Sequence, residues 1–170
     1  WQADPITMMK AQKNAVELAG YRECHQSDGA AWVNFLAWLS REVPQREAAG
    51  HPLTELEAQA QQLAFRQQQP HFIEQSFVTI SASASNAVMC HYHSSEATNK
   101  PIVSTHFYLN DSGGQYHNGT TDATRTLAYS KLDAQQRLHY TAVLKGFLSL
   151  ITLQFPSGTQ GHQLDAFARR

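Results

Sequence analysis

One segment, residues 111–126, constrains the fold of this chain more than any other. It reads DSGGQYHNGTTDATRT, and the turn-forming sequence His-Asn-Gly at 117–119 separates two β-rich runs. Such a pattern predicts a β-hairpin. Asp111 stands on the first predicted strand and Asp122 on the second, so the hairpin brings two carboxylates onto one face of a sheet.

The register of the hairpin decides how close the two aspartates come. If the turn centres between residues 116 and 117, Asp111 lies directly opposite Asp122, with Cβ atoms about 5 Å apart. If it centres between residues 118 and 119, the carboxylates are about 13 Å apart on the same face. The closer pair would need a cation or a shared proton, and a pair of divalent metals suits carboxylate oxygen. A turn cap at Asp111 and a solvated Asp122 fit the spacing equally well.

Three helices are predicted before residue 70. Apolar residues recur at helical spacing in each of them, and capping or helix-breaking residues set their bounds: a glycine, a proline and a Thr-x-x-Glu capping box. The predicted helices run from Pro5 to Gly20, from Ser27 or Asp28 to just before Pro44, and from Thr54 to about Gln69.

Short β-branched and aromatic runs follow, separated by polar and proline-containing clusters. The predicted strands are Phe77–Ile80, Val88–Tyr92, His106–Leu109 and the hairpin strands Leu109–Tyr116 and Thr120–Ala128. Two more helices are predicted, one capped by Asp133 and ending at Pro156, the other running from Thr159 to Arg170. We therefore predict an α/β (α+β) fold with helices on one face of a curved, mostly antiparallel sheet.

Histidines are a second source of candidate site residues. Among the nine in the chain, His91 and His93 flank a tyrosine at the end of a predicted strand. Alternate residues of a strand share a face, so the two imidazoles could reach one ligand. Simple hydrogen bonding or exposure to solvent explains the pair as well.

Composition excludes several functions. The formal net charge is −1 and the basic residues are scattered, so we expect no nucleic-acid partner. The apolar runs are far shorter than the roughly 20 residues that cross a bilayer, and we expect no membrane contact. Cys24 and Cys90 stand in no disulfide or metal-binding pattern, which favours reduced thiols and a cytoplasmic location.

With these motifs in place, the chain resembles the Xaa-Pro aminopeptidases (aminopeptidase P), pita-bread metallopeptidases related to prolidase, creatinase and methionine aminopeptidase. The resemblance extends over essentially the whole chain. It implies that residues 1–170 are the N-terminal half of a pita-bread catalytic domain, with the C-terminal half absent. The segments that carry it most clearly are SFVTISASASNAVMCHYH, LNDSGGQYHNGTTDATRT and VLKGFLSLITLQFPSGTQGHQLDAFAR.

The resemblance implies a site with two divalent metal ions, usually manganese, in which Asp111 and Asp122 are ligands and Asp122 bridges the ions. A metal-bound hydroxide would attack the peptide bond before a proline in the second position, releasing the N-terminal residue of a peptide substrate. By the same resemblance, His91 contacts the substrate near the scissile bond without binding metal. The loop before His91 departs from the family, which often has glycine, glycine and proline at the positions of Ala82, Ala84 and Ser85.

The resemblance also implies ligands that these residues do not include, namely one histidine and two glutamates in the second half of the fold. The last predicted helix is still running at Arg170, which suggests that the natural chain continues. We therefore expect the isolated chain to be inactive and to associate, either as a homo-oligomer or with the missing C-terminal half. Two alternatives stay open: a non-catalytic peptide-binding pita-bread module, and one chain of a split enzyme.

Overall fold

The computed structural model describes residues 4–169 and divides the chain into two units, one up to Ser130 and one from Lys131 onward. The first unit contains three helices, α1 (Pro5–Ala11), α2 (Ala15–Ala48) and α3 (Glu55–Gln67). Its strands are β1 (Phe72–Gln75), β2 (Ile80–Ser83), β3 (Tyr108–Ser112), β4 (Gly114–Tyr116), β5 (Gly119–Thr120) and β6 (Ala123–Leu127).

The helix α1 begins at Pro5 as predicted but ends at Ala11. The long helix α2 then runs through residues 20–28, so the expected end at Gly20 and start at Ser27 or Asp28 are wrong. Its capping box lies earlier: Asn14 accepts a hydrogen bond from the Glu17 N–H, and the Glu17 carboxylate accepts one from the Asn14 N–H. Gly20 serves close packing instead of a helix end, because a Cβ there would lie 2.6 Å from the Asn118 carbonyl oxygen.

The helix also continues through Pro44, where it was expected to end. Proline removes one helical hydrogen bond and crowds the preceding turn, so packing must offset the cost. Leu39 and Val43, on the turn before it, are completely buried in the core of the first unit. In contrast, the prediction for α3 is confirmed, since Thr54 and Glu57 form its capping box and it ends at Gln67.

The strands form two antiparallel sheets, in the orders β2–β3–β6 and β1–β4–β5. The hairpin crosses from one sheet into the other, since only Gly113 separates β3 from β4, and residues 121–122 separate β5 from β6. The long helices pack against these sheets: α3 contacts β1 and β2, and α2 contacts β5. The mixed helical and antiparallel fold predicted from the sequence is confirmed.

Two predicted strands are wrong. Within residues 77–80 only Ile80 belongs to a strand, β2, which continues to Ser83, and β1 lies earlier, at Phe72–Gln75. Residues 88–92 are β-branched and aromatic, but a 3-10 helix occupies Ala84–Val88 and a turn follows it. The side chains of Asn86 and Tyr92 are buried there and donate hydrogen bonds to the carboxylate of Glu55 in α3. These long-range bonds fold the segment inward and outweigh its preference for a strand.

The core of the first unit lies between α2, α3 and the β2–β3–β6 sheet. Its buried residues are Trp32, Phe35, Leu39, Val43, Leu53, Ala58, Ile102 and Tyr108. Beside this apolar cluster lies a buried ion pair between Asp28 of α2 and Arg66 of α3, with Nε and Oδ1 2.7 Å apart. The Tyr116 hydroxyl of β4 donates to the same Asp28 oxygen at 2.9 Å, so three elements meet at one carboxylate.

The second unit consists of α4 (Ala134–Ile151) and α5 (Gly161–Ala168). Asp133 caps α4 as predicted, in a capping box with Gln136. The prediction that the last helix runs to the end is wrong within the described residues, because α5 ends at Ala168; Arg170 itself lies outside them. Several large apolar side chains of α4 are exposed, namely Leu138, Val143, Leu144, Phe147, Leu148 and Ile151.

The cysteines and the helices also bear on the expectations from composition. Cys24 is buried and Cys90 is exposed, and each carries a free thiol, as expected. Among the helices within residues 4–169, none combines the length and the apolar character needed to cross a membrane.

Candidate metal centre

The hairpin register lies between the two that the sequence allowed. Asp111 pairs with Thr124 in the β3–β6 ladder, and Tyr116 pairs with Gly119 across the turn. The turn therefore centres between residues 117 and 118, and both predicted registers are wrong by one residue. Asp122, two residues before Thr124, lies diagonally across from Asp111, a separation that long side chains bridge.

The predicted site residues come together at one cavity of about 470 Å³. Asp111, Asp122 and His91 all line it, and so does His93. His91 lies on a turn instead of the predicted strand, and His93 lies in the irregular segment that follows. The sequence analysis missed the apolar wall of the cavity. That wall is formed by Phe77, Val78 and Ile80.

The electrostatics of the cavity are those of two carboxylates with little to balance them. The pKa of Asp122 is raised above its usual value by partial burial, by the negative charge of Asp111 and by a hydrogen bond to Asp111 that favours the protonated form. The Oδ1 atom of Asp111 is buried and has no hydrogen-bond partner in the described structure. A buried carboxylate oxygen normally has a hydrogen-bond partner, so Oδ1 of Asp111 is left as an acceptor that a bound ligand could satisfy.

These features fit a divalent cation, because paired carboxylate oxygens are the ligands that manganese, magnesium and calcium prefer. Within residues 4–169, no three side chains of histidine, cysteine, aspartate or glutamate are grouped closely enough to hold a metal ion. The Asp111–Asp122 pair therefore offers carboxylate oxygens to a cation, and no third such side chain in residues 4–169 is grouped with it closely enough to hold the ion.

Close backbone contacts hold the hairpin beside the pair. The N–H of Gly114 donates to Oγ1 of Thr121 at 2.9 Å, and the Thr121 N–H donates to the Gly114 carbonyl at 2.9 Å. The Ser76 hydroxyl donates to the Thr121 carbonyl at 2.9 Å. A Cβ on Gly113 would lie only 1.9 Å from that carbonyl oxygen, so only glycine fits at the residue between Ser112 and Gly114.

Gly113→Ala should therefore destabilise the chain by about 1–3 kcal/mol, the usual cost of inserting a methyl group into packed structure, and should also weaken metal binding. Gly29→Ala is the matched control, because a Cβ there meets nothing within 4 Å and alanine favours the helix. Urea unfolding of both variants measures the difference. Equal stability of the two variants would show that the close approach is not a constraint.

Residues 19–170 match metallopeptidase family M24. The chain belongs to metallopeptidase family M24. It is 43% identical over 166 residues to a probable Xaa-Pro aminopeptidase P of Coccidioides posadasii, a match that covers 98% of this chain and 25% of the relative. The chain thus spans about a quarter of the length of the curated relatives that it matches.

Solved structures of this family share the fold. An X-prolyl aminopeptidase of Caenorhabditis elegans, described as a cytosolic enzyme with a di-nuclear active site, matches with a TM-score of 0.86 and 37% identity, over 98% of this chain and 27% of its own. An X-Pro aminopeptidase of Thermotoga maritima matches at a TM-score of 0.78 and 20% identity, over 96% of this chain and 42% of its own, which shows the fold alone. The resemblance to the pita-bread metallopeptidases is confirmed.

Proposed function

We propose that these residues form the N-terminal half of the catalytic domain of a metallo-aminopeptidase that releases the N-terminal residue from peptides with proline in the second position. The observation that carries the proposal is the convergence of Asp111, Asp122 and His91 on one cavity, with a buried carboxylate oxygen that has no partner. The similarity to Xaa-Pro aminopeptidases named above supports the choice of substrate.

In this proposal Asp111 and Asp122 would be the ligands from this chain to two divalent metal ions, with manganese as the metal. When bound, the ions supply an activated water and stabilise negative charge on the peptide carbonyl. The description of the C. elegans relative as di-nuclear supports the number of ions. The carboxylate pair also loses its mutual repulsion on binding, which favours occupancy.

The other residues of the cavity act on the peptide. His91 is exposed at the cavity and is the group proposed to contact the substrate near the scissile bond. The wall of Phe77, Val78 and Ile80 offers apolar surface to a prolyl ring or an adjacent side chain, which would hold the peptide beside the carboxylates.

The remaining ligands of the centre come, in this proposal, from a segment or chain beyond the described residues, since Asp111 and Asp122 alone do not complete a metal site. The 170-residue chain by itself is therefore inactive. It associates with the segment or chain that completes the centre or with further copies of itself, as the exposed apolar side chains of α4 suggest. A cytoplasmic location agrees with the free thiols and with the cytosolic relative.

The test is peptide cleavage by the polypeptide as it occurs in the cell, purified and stripped of metal with a chelator. We expect added manganese to restore release of the first residue from an Xaa-Pro peptide, and a peptide with alanine in place of that proline to be a poor substrate. The 170-residue chain alone should show no turnover. If the whole polypeptide binds manganese but cleaves no Xaa-Pro peptide, the proposal is wrong, and a peptide-binding module becomes the better interpretation.

A further inference from the structure

A second carboxylate in the first unit, that of Glu55, is completely buried and lies outside the cavity of the metal centre. It is the first residue of α3. In the described part of the chain no lysine, arginine or histidine forms an ion pair with it. A charge buried without a cation is costly unless several hydrogen-bond donors surround it.

Four residues donate hydrogen bonds to this carboxylate: three lie between Ser83 and Tyr92, and the fourth is Lys100. The backbone N–H of Ser83 donates to Oε1 of Glu55 at 2.6 Å, and the backbone N–H of Lys100 donates to Oε2 at 3.1 Å. The Tyr92 hydroxyl donates to Oε2 at 2.7 Å. The Asn86 side-chain amide lies 3.0 and 3.1 Å from the two oxygens. Both oxygens of Glu55 therefore act as acceptors.

Three of these donors bracket the segment that contains His91. Ser83 ends β2, Asn86 lies in the 3-10 helix, and Tyr92 immediately follows His91. Tyr92 is 3% exposed, whereas His91 is exposed and lines the cavity. Because the tyrosine ring is held inward by the carboxylate, the neighbouring imidazole is directed to the opposite side.

We propose that Glu55 is a positioning residue, which fixes the segment from Ser83 to Tyr92 so that His91 faces the metal centre. The inference rests on the proposed function, in which His91 contacts the substrate. The segment also includes Ala84, whose φ of 50° lies in the left-handed region that favours glycine. A segment that contains an unfavourable backbone conformation needs contacts that hold it, and Glu55 accepts hydrogen bonds from three groups of this segment.

The first test is Glu55→Gln, in the polypeptide as it occurs in the cell. The glutamine amide turns N–H groups toward the donors that now bind the carboxylate, so the segment from Ser83 to Tyr92 should shift. We expect kcat to fall by about 10- to 100-fold, since a misplacement of about 1 Å can cause such a loss. The matched control is Glu57→Gln, which changes the same residue type in the same helical turn, keeps an acceptor oxygen for the capping box and removes only the ion pair with Arg46. We expect Glu57→Gln to lower the melting temperature and to leave kcat and KM of the folded enzyme unchanged.

A double-mutant cycle separates positioning from general stability. If Glu55 acts through His91, the variant Glu55→Gln/His91→Ala should have the kcat of His91→Ala alone. Additive losses from the two substitutions would overturn the inference, and so would equal kcat values for Glu55→Gln and Glu57→Gln. If His91→Ala itself has no effect on kcat, the proposed role of His91 in the reaction fails instead.

A readout independent of activity keeps the inference testable if the proposed function fails. In the polypeptide as it occurs in the cell, the imidazole cross-peak of His91 can be assigned by NMR from its loss in His91→Ala. We expect this cross-peak to shift or broaden in Glu55→Gln and in the milder Tyr92→Phe, while that of His162 in the second unit stays in place. An unchanged His91 cross-peak in both variants would overturn the positioning role.

Discussion

Asp122→Asn should abolish manganese-dependent cleavage of an Xaa-Pro peptide, with a loss in kcat/KM of more than about 100-fold, the upper range seen when only an outer partner of a metal site is removed. Asparagine keeps the shape of the side chain but carries no negative charge and offers one acceptor oxygen instead of two. It can neither bridge two cations nor balance their charge beside Asp111. The assay is cleavage by the whole polypeptide, with bound manganese measured by elemental analysis.

Glu74→Gln is the control, because Glu74 is an exposed carboxylate on β1 and does not line the cavity. It should retain both the metal and the activity of the unmodified protein. Full manganese content and turnover in Asp122→Asn would contradict the assignment of Asp122 as a ligand.

The same substitution should act in the opposite direction on the metal-free chain. The pKa of Asp122 is raised in the folded state, so the folded protein binds a proton there more tightly than the unfolded chain does, and the ionised carboxylate opposes folding. Asp122→Asn should therefore raise the melting temperature slightly at pH 7 in the presence of a chelator. This advantage should shrink as the pH falls through the raised pKa of the folded state, and it should vanish below the ordinary aspartate value of 3.8, where both states become protonated.

Capping boxes were the most reliable local signal in this sequence. The capping box of α3, with Thr54, and the N-cap of α4, Asp133, were predicted correctly because all of their partners lie within three residues. The same signal, Asn-x-x-Glu from Asn14, was present before α2 and was overlooked. The helix ends predicted at Gly20 and before Pro44 were wrong, because contacts distant in sequence, with the hairpin turn and with the core, determine the conformation there.

The candidate site shows the same division between local and distant causes. The presence of two aspartates on one face of a hairpin followed from the sequence, since it needs only the turn and the alternation of strand residues. The register of the hairpin did not follow from the sequence, because the turn at residues 117–119 is compatible with three pairings. The contact of Gly113 with Thr121 within the hairpin favours the observed pairing, and so does the contact of Gly20 with Asn118, which joins segments far apart in the chain.

The prediction of a strand at residues 88–92 was wrong for a further reason. Val88 and Tyr92 have strand propensity, but the propensity of a short segment amounts to a fraction of a kcal/mol per residue. The buried Glu55 carboxylate requires several hydrogen-bond donors. Leaving this carboxylate without them would cost more free energy than the strand propensity of residues 88–92 contributes. A local pattern cannot reveal a requirement that arises from a residue more than thirty positions away.

The largest effect on stability is expected at the buried ion pair of the first unit. Arg66 is 1% exposed and binds Asp28 through two atoms, Nε at 2.7 Å and Nη2 at 3.3 Å, and its guanidinium lies 5.8 Å from the centre of the Trp32 ring. Burial and the charge of Asp28 raise the pKa of Tyr116, so its hydroxyl stays protonated and donates to Asp28. The pair thereby ties α2 and α3 to β4 of the hairpin.

Arg66→Met should lower the free energy of unfolding by about 3–5 kcal/mol, because it leaves the Asp28 carboxylate buried with Tyr116 as its remaining donor. Urea unfolding followed by circular dichroism measures the change. Arg46→Met is the matched control, since Arg46 forms a comparable 2.9 Å pair with Glu57 but the two side chains are 28% and 45% exposed. That pair should contribute only about 0–1 kcal/mol.

The double variant Asp28→Asn/Arg66→Met decides whether the loss comes from the uncompensated charge or from the packing of the long arginine side chain. If the charge is the cause, the double variant should be more stable than Arg66→Met alone, because a neutral amide costs less to bury than a carboxylate. If packing against Trp32 is the cause, the second substitution should restore nothing. Equal destabilisation by Arg66→Met and Arg46→Met would contradict both explanations and would mean that the hairpin of the candidate metal centre does not depend on this pair.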